Sequence, residues 1–149
     1  MLIGRYDGKI SAKFQCAFPK KFREVLGDKL IVTRGFEQAL LVIAESSWEH
    51  VLRDVEEQSV TTANARESKR FLLGGAAFVE LDGKGRFILP EHLRNFGNLS
   101  DDIVFIGQDT YVEIWDKKRW EVYNQELAGR IETIVETLSK PVQKEMRHE

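Results

Sequence analysis

Apolar and polar positions along the chain fall into short runs that predict small elements. Met1 to Lys9 and Phe14 to Phe18 read as two strands of a hairpin, followed behind Pro19 by a short helix from Lys20 to Leu26. Leu30 to Thr33 and Leu40 to Ile43 read as strands joined through Arg34-Gly35-Phe36-Glu37-Gln38, a loop whose glycine can take positive φ. Ser46 or Ser47 can cap a helix near Trp48, where Trp48, Val51, Leu52 and Val55 recur at helical spacing. Thr61 or Thr62 starts another helix that runs to Leu73 and stops at Gly74-Gly75. Further on, Ala76 to Leu81 and Phe87 to Leu89 flank a polar turn, and Pro90 ends the second of these strands. Ile103 to Ile106 and Tyr111 to Trp115 are strands joined at Gly107-Gln108-Asp109, and a helix follows from about Lys117, interrupted near Gly129. The tail from Pro141 to Glu149 is polar and reads as mobile.

These elements occur twice. A shift of 71 places Leu2, Gly4, Lys13, Pro19 and Arg23 on Leu73, Gly75, Lys84, Pro90 and Arg94. After one inserted residue, a shift of 72 places Ile31, Val32, Gly35, Val42 and Trp48 on Ile103, Val104, Gly107, Ile114 and Trp120. Residues 1–70 and 71–149 are therefore two copies of one unit. A two-stranded hairpin is marginal alone in water, whereas two related hairpins can interleave and bury each other's apolar sides. The expected product is a pseudo-two-fold α+β domain.

Composition narrows the function classes. Hydrophobic residues make up 42% and charged residues 31%, the balance of a globular chain, and the net charge is −2. A bulk polycation argument for nucleic acid therefore fails, but the distribution is uneven. The first 34 residues carry eight Lys/Arg against three Asp/Glu, a local +5 that leaves −7 for the remainder. The sequence has no long apolar run and no charged leader ahead of an apolar core, so neither a membrane span nor a signal peptide is read, and a cytoplasmic location is expected. One cysteine, Cys16, in an apolar strand reads as a buried inert thiol; no cofactor loop or metal-ligand cluster is present. His50, His92 and His148 are scattered, and Gly83-Lys84-Gly85 lacks the third glycine of a dinucleotide loop, so catalysis is not expected.

The chemistry concentrates in Asp82-Gly83-Lys84-Gly85-Arg86. Asp-Gly between apolar runs is a strong hairpin signal, because glycine accepts the backbone that tight turns need. Arg86 offers a rigid fork for a guanine edge or a phosphate, and Lys84 a point charge for a phosphate. Asp82, repelled by DNA, is expected to accept turn amides or to orient Arg86, and Gly83 and Gly85 to let the backbone approach a groove. The alternative is an ion pair that only stiffens the turn.

This pentapeptide with Pro90 resembles the Asp-x-x-x-Arg motif of the MraZ family of bacterial proteins. The tandem duplication, the Arg34-Gly35-Phe36-Glu37 turn and Glu113-Ile114-Trp115-Asp116 resemble that family as well, over roughly Leu2 to Leu138. The resemblance implies a double swapped-hairpin barrel of the AbrB type with flanking helices. It also implies a ring-forming homo-oligomer that regulates transcription by binding short promoter repeats ahead of the division and cell-wall gene cluster. Such a protein would be cytoplasmic and associated with the nucleoid.

The first copy departs from the motif, reading Ser11-Ala12-Lys13-Phe14-Gln15, where only Lys13 remains. Gln15 can bond adenine without adding charge, and Phe14 stands where glycine is expected. Lys9, Lys13, Lys20, Lys21 and Arg23 nevertheless make this half the basic one, suited to salt-sensitive affinity without full readout. Arg23 and Arg94, at one repeat position, either contact phosphate or cover the short helix. The expected DNA-binding set is thus Lys84, Arg86, Lys13, Arg94 and Arg23. The rival readings are an assembly protein of the same fold without specific DNA readout, with Phe36, Phe71, Phe78, Trp115 and Trp120 as core or subunit surface, and a toxin-neutralising protein of the same superfamily.

Overall fold

The structure is a computed structural model that describes residues 1–58 and 62–139. Strands β1 (Arg5–Lys9) and β2 (Gln15–Ala17) precede helix α1 (Lys20–Leu26), then β3 (Lys29–Arg34) and β4 (Leu40–Ala44). A single 3-10 turn at Glu45–Ser47 leads into α2 (Trp48–Gln58), followed by α3 (Thr62–Gly74). The second copy supplies β5 (Ala77–Glu80), β6 (Arg86–Ile88), α4 (Glu91–Phe96), β7 (Asp102–Gln108), β8 (Tyr111–Asp116) and α5 (Lys117–Ser139). Pro19 and Pro90 stand one residue ahead of α1 and α4, where a fixed φ favours helix entry and no amide is missed. The chain is an α+β protein with antiparallel strand pairing, and the two copies give matching series of elements.

Strand pairing crosses between the copies. The sequence predicts local hairpins, β1 with β2 and β5 with β6; neither pair forms. Instead β1 pairs with β7, Arg5 opposite Ile106 and Lys9 opposite Asp102, while β5 pairs with β3, Lys29 opposite Glu80. β2 pairs with β6 in a separate two-stranded ribbon. The large sheet has the order β1-β7-β8-β4-β3-β5, and exchanging the copies reproduces that order reversed. The crossing follows from size. β2 and β6 span three residues each, too few for a stable hairpin on their own, and each finds its ladder partner in the other copy. The large sheet is open, with β1 and β5 at its edges, and no closed barrel is present among the described residues.

The main core lies between the large sheet and the ribbon. Leu30, Val32, Leu40 and Val42 of the first copy meet Ile103, Phe105, Val112 and Ile114 of the second. Phe18, Phe22, Phe87, Leu89 and Leu93 close it from the ribbon side. The Phe18 ring stands edge-on to Phe105 at 5.6 Å and to Phe87 at 6.4 Å, a favoured arrangement for aromatic pairs. β3 and β4 are buried on both faces because their alternate residues, Ile31, Leu41 and Ile43, form a second cluster with Trp48 and Leu72 of the α2–α3 pair. Arg34 ties that pair down: its Nε donates to the Phe71 carbonyl at 2.9 Å and Nη2 to that of Arg70 at 3.1 Å. These bonds anchor the C-terminal end of α3 to β3.

Several expectations are revised. Gly107 is not a turn residue; it lies in β7, where a Cβ would stand 2.7 Å from the backbone of Leu2 and Ile3, so glycine admits the N-terminal segment. The β7–β8 turn falls at Asp109 and Thr110, Asp109 taking φ 67°. Gly35 likewise answers a close approach by Ala39 and Leu41, and the positive φ of its loop falls on Glu37 and Gln38. Helix α5 runs through Gly129 without interruption. Of the aromatic set, Trp115 is buried, Phe71 half-buried, and Phe36 and Phe78 exposed, Phe78 by 77%. Thr61, Pro141 and the polar tail lie outside the described residues.

Met1–Lys117 forms one compact unit and Lys118 onward another. Within the second, Trp120 and Tyr123 rings lie 6.3 Å apart, and Val122, Ile131, Val135 and Leu138 are exposed. No described helix is long and apolar enough to cross a membrane.

Candidate nucleic-acid interface

The ribbon β2–β6 alternates strictly. Cys16 and Phe87, opposite each other, point inward and are buried. Gln15 opposite Ile88, and Ala17 opposite Arg86, therefore share the outward face. The ladder continues beyond the strands, Phe18 N donating to Gly85 O at 2.8 Å and Leu89 N to Phe14 O at 2.9 Å. Each pentapeptide turn thus sits at one end of the ribbon, separated by the four residue steps from Phe14 to Phe18, about 13 Å.

The Asp82–Arg86 turn is closed by Asp82 N to Arg86 O at 3.0 Å and Gly85 N to Asp82 O at 2.9 Å. Asp82 Oδ1 accepts the amides of Lys84 and Arg86, both at 2.9 Å, and Oδ2 accepts Arg86 Nε at 2.9 Å. The carboxylate therefore fixes both the turn and the arginine. Donation from the Arg86 amide is the largest cause holding this carboxyl below its ordinary range; slight desolvation opposes it, and the Lys84 amide and the Arg86 guanidinium add to the lowering. Gly85 has φ 76°, the left-handed region that a side chain resists, whereas Gly83 does not.

The first turn has the same backbone. Ser11 N donates to Gln15 O at 2.8 Å and Phe14 N to Ser11 O at 2.9 Å. Ser11 Oγ accepts the amides of Lys13 at 3.3 Å and Gln15 at 3.2 Å, the positions that Asp82 Oδ1 serves in the second turn. Phe14 takes φ 62° in the place of Gly85. Its ring lies under Arg94, whose Cζ is 3.6 Å from the centroid, a contact that offsets part of the strain.

Arg23 and Arg94 each brace the other copy's turn. Arg23 Nη2 donates to Asp82 O at 3.2 Å while Nε pairs with Asp28 at 2.7 Å. Arg94 Nε donates to Leu89 O at 3.0 Å. Both are half-buried and committed to protein partners. Lys13 and Lys84 are exposed and, among the described residues, form no ion pair. Lys9 is held by Asp102 at 3.5 Å, so not every cation of the basic half is free for an anion.

Sequence reasoning singled out Ser11 only as a lost aspartate and gave Ala17 and Ile88 no role, although strand alternation from Phe87 already turns Ile88 outward. Burial pushes the Cys16 thiol up to about 12, the state of an unreactive core residue. Among the described residues no group of His, Cys, Asp and Glu could hold a metal ion.

Comparison with known proteins gives a consistent result. A family model described as "MraZ protein, putative antitoxin-like" matches residues 1–71 and again 72–140. The chain is 38% identical over 138 residues to the transcriptional regulator MraZ of Caldanaerobacter subterraneus subsp. tengcongensis, covering 93% of this chain and 96% of that protein. It is 38% identical over 138 residues to its namesake in Thermoanaerobacter sp. strain X514, with 93% and 96% covered. For that of Acetivibrio thermocellus the identity is 35% over 139 residues, with 93% and 97% covered. These relatives are named as regulators rather than as enzymes.

Proposed function

The chain belongs to the MraZ family, and from that premise we propose that it is a DNA-binding transcriptional regulator whose β2–β6 ribbon and flanking turns meet the duplex. The observation that carries this reading is Arg86: exposed on the outward face, with Nε held by Asp82. A guanidinium fixed through Nε presents its terminal nitrogens as a fork, and the major groove admits a two-stranded ribbon. Arg86 meets a guanine edge or a phosphate, while Lys84 and Lys13 meet phosphates at the two ends of the ribbon. Asp82, Gly83 and Gly85 shape the turn. Arg23 and Arg94 support the turns from behind, a role their protein partners favour over phosphate contact.

The rest of the reading concerns assembly and target. The crossed pairing of residues 1–70 with 71–149 supports a swapped-hairpin domain, and the family favours a homo-oligomeric ring that engages successive promoter repeats ahead of the division and cell-wall genes. Avidity would then compensate for a single chain whose net charge is −2. The protein would act in the cytoplasm, at the nucleoid. Exposed Phe78 on edge strand β5 favours a second reading, assembly without specific DNA readout.

Titration of a duplex carrying the direct repeats upstream of the protein's own gene, at two salt concentrations, separates the two. Arg86→Ala should weaken binding roughly 5- to 150-fold, the value of about 1–3 kcal/mol for a bidentate base contact. Lys84→Ala should weaken all sequences alike and reduce the salt slope by about one. Equal binding of scrambled duplex, or no effect of Arg86→Ala, favours the assembly reading. Light scattering should give a mass several times that of one chain; a monomer excludes the ring.

A further inference from the structure

The outward face of the ribbon carries four side chains in two cross-strand pairs, and their chemistry differs from end to end. Arg86 stands opposite Ala17, and Gln15 opposite Ile88. Opposed Cβ atoms in such a ladder lie about 5 Å apart, and the diagonal from Arg86 to Gln15 spans about 7–8 Å. Base pairs stack every 3.4 Å or so, making that diagonal about two base-pair steps. Each pair joins one side chain that bonds a purine edge to one aliphatic neighbour.

We infer that the ribbon reads an asymmetric core: a G·C pair under Arg86/Ala17 and an A·T pair under Gln15/Ile88. The inference rests on the DNA-binding reading above. Arg suits the O6/N7 edge of guanine, and Gln the N6/N7 edge of adenine. The thymine methyl lies on the far side of thymine O4 from adenine N6 along the same major-groove edge, and is the one apolar feature of that pair there. Ile88 is 61% exposed on the outward face although it occupies a strand whose next residue inward is core. Its branched side chain, beside Gln15, fits that methyl. Ala17 at the other end leaves room for cytosine, which has no methyl to fill. The copies thus share a backbone two-fold that the side chains break, and the first turn changes base preference rather than losing it. Ile88 is a specificity-determining residue.

The test selects bound duplexes from a randomised pool with the full-length chain, then titrates the enriched duplex and its copy with deoxyuridine in place of thymidine. The expected core has guanine at one end and A·T about two steps away. Removing the methyl should weaken wild type about three- to fourfold, the value of one buried methyl group, and leave Ile88→Ala unaffected. Gln15→Ala should lose discrimination at the A·T position only, by about fivefold or more. The double variant Ser11→Asp/Gln15→Arg should enrich guanine at both ends. A symmetric core for wild type, or Ile88→Ala as sensitive to the methyl as wild type, overturns the inference. So does a fall in mass on light scattering of Ile88→Ala, which would make Ile88 a subunit contact. Binding of the pool without enrichment of any sequence overturns it while leaving DNA binding intact. No binding at low salt removes the DNA-binding reading itself.

Discussion

The turns Ser11–Gln15 and Asp82–Arg86 share one backbone and differ in nearly every side chain. In each, the first residue's oxygen accepts the amides two and four positions on, and the fourth residue is left-handed. One turn uses a carboxylate, a glycine and an oriented arginine; the other a hydroxyl, a phenylalanine and a glutamine. Turn geometry and turn chemistry are therefore separable. What holds the loop is an acceptor at its first position together with a brace from the other copy. What the loop presents on the outward face of the ribbon is the residue at its fifth.

The fourth position gives the largest test of that separation. Gly85→Ala places a Cβ 3.3 Å from Arg23 Nη1 at φ 76°, and should cost about 1–2 kcal/mol for the left-handed backbone alone. Phe14→Gly removes strain of that kind but also forfeits the ring beneath Arg94, worth about 0.5–2 kcal/mol, and loosens the unfolded chain. Its net effect should stay within about 1 kcal/mol. Urea midpoints of the two variants check this. A clear gain in stability for Phe14→Gly would mean that Arg94 does nothing to hold Phe14.

The first position comes next. Ser11→Ala removes the one oxygen that accepts two amides, at 3.3 and 3.2 Å, and should cost about 0.5–1 kcal/mol of stability, read from the urea midpoint. Asp82→Ala should cost more than Ser11→Ala, because its amide bonds are shorter and it also loses the pair with Arg86. The two variants should differ further in DNA binding: Asp82→Ala frees the Arg86 guanidinium, while Ser11→Ala leaves Gln15 on its ribbon. If both weaken the duplex equally, the carboxylate serves the turn and not the arginine.

Much of this was legible in the order of residues, and the reasons divide cleanly. The repeat, α1 from Lys20 to Leu26, and the α+β class follow from local pattern, because proline, helical spacing and apolar runs act over a few residues. Strand partners were not legible. The pairing of β1 with β7 and of β5 with β3 is decided by apolar faces far apart in the chain, and the local hairpin preferred from spacing loses to it. Glycine was over-read in the same way: Gly107 and Gly35 answer neighbours' backbone and side chains, while Glu37, Asp109 and Phe14 take the left-handed conformations. The crossing also turned Arg23 and Arg94 from surface cations into braces. Ser11 looked like a lost motif residue because residue identity, and not acceptor geometry, is what a sequence prints.

The smallest expected effect is also the cleanest separation, since only one of the two turns can titrate. Asp82 has a folded-state pKa below its ordinary value, lowered first by the Arg86 amide. A group shifted in that direction contributes stability above its unfolded-state pKa, and the contribution disappears as pH falls through the folded-state value. From neutrality down to about pH 5 neither turn should change. Below about pH 4 the amide resonances of Lys84 and Arg86 should move as Oδ1 gains its proton, while those of Lys13 and Gln15, which face a hydroxyl, stay still. Asp82→Asn should abolish the movement, because an amide carbonyl accepts the same two bonds without titrating. Movement of all four resonances together would mean that the turns are coupled through the ribbon, and that the independence drawn from their geometry is wrong.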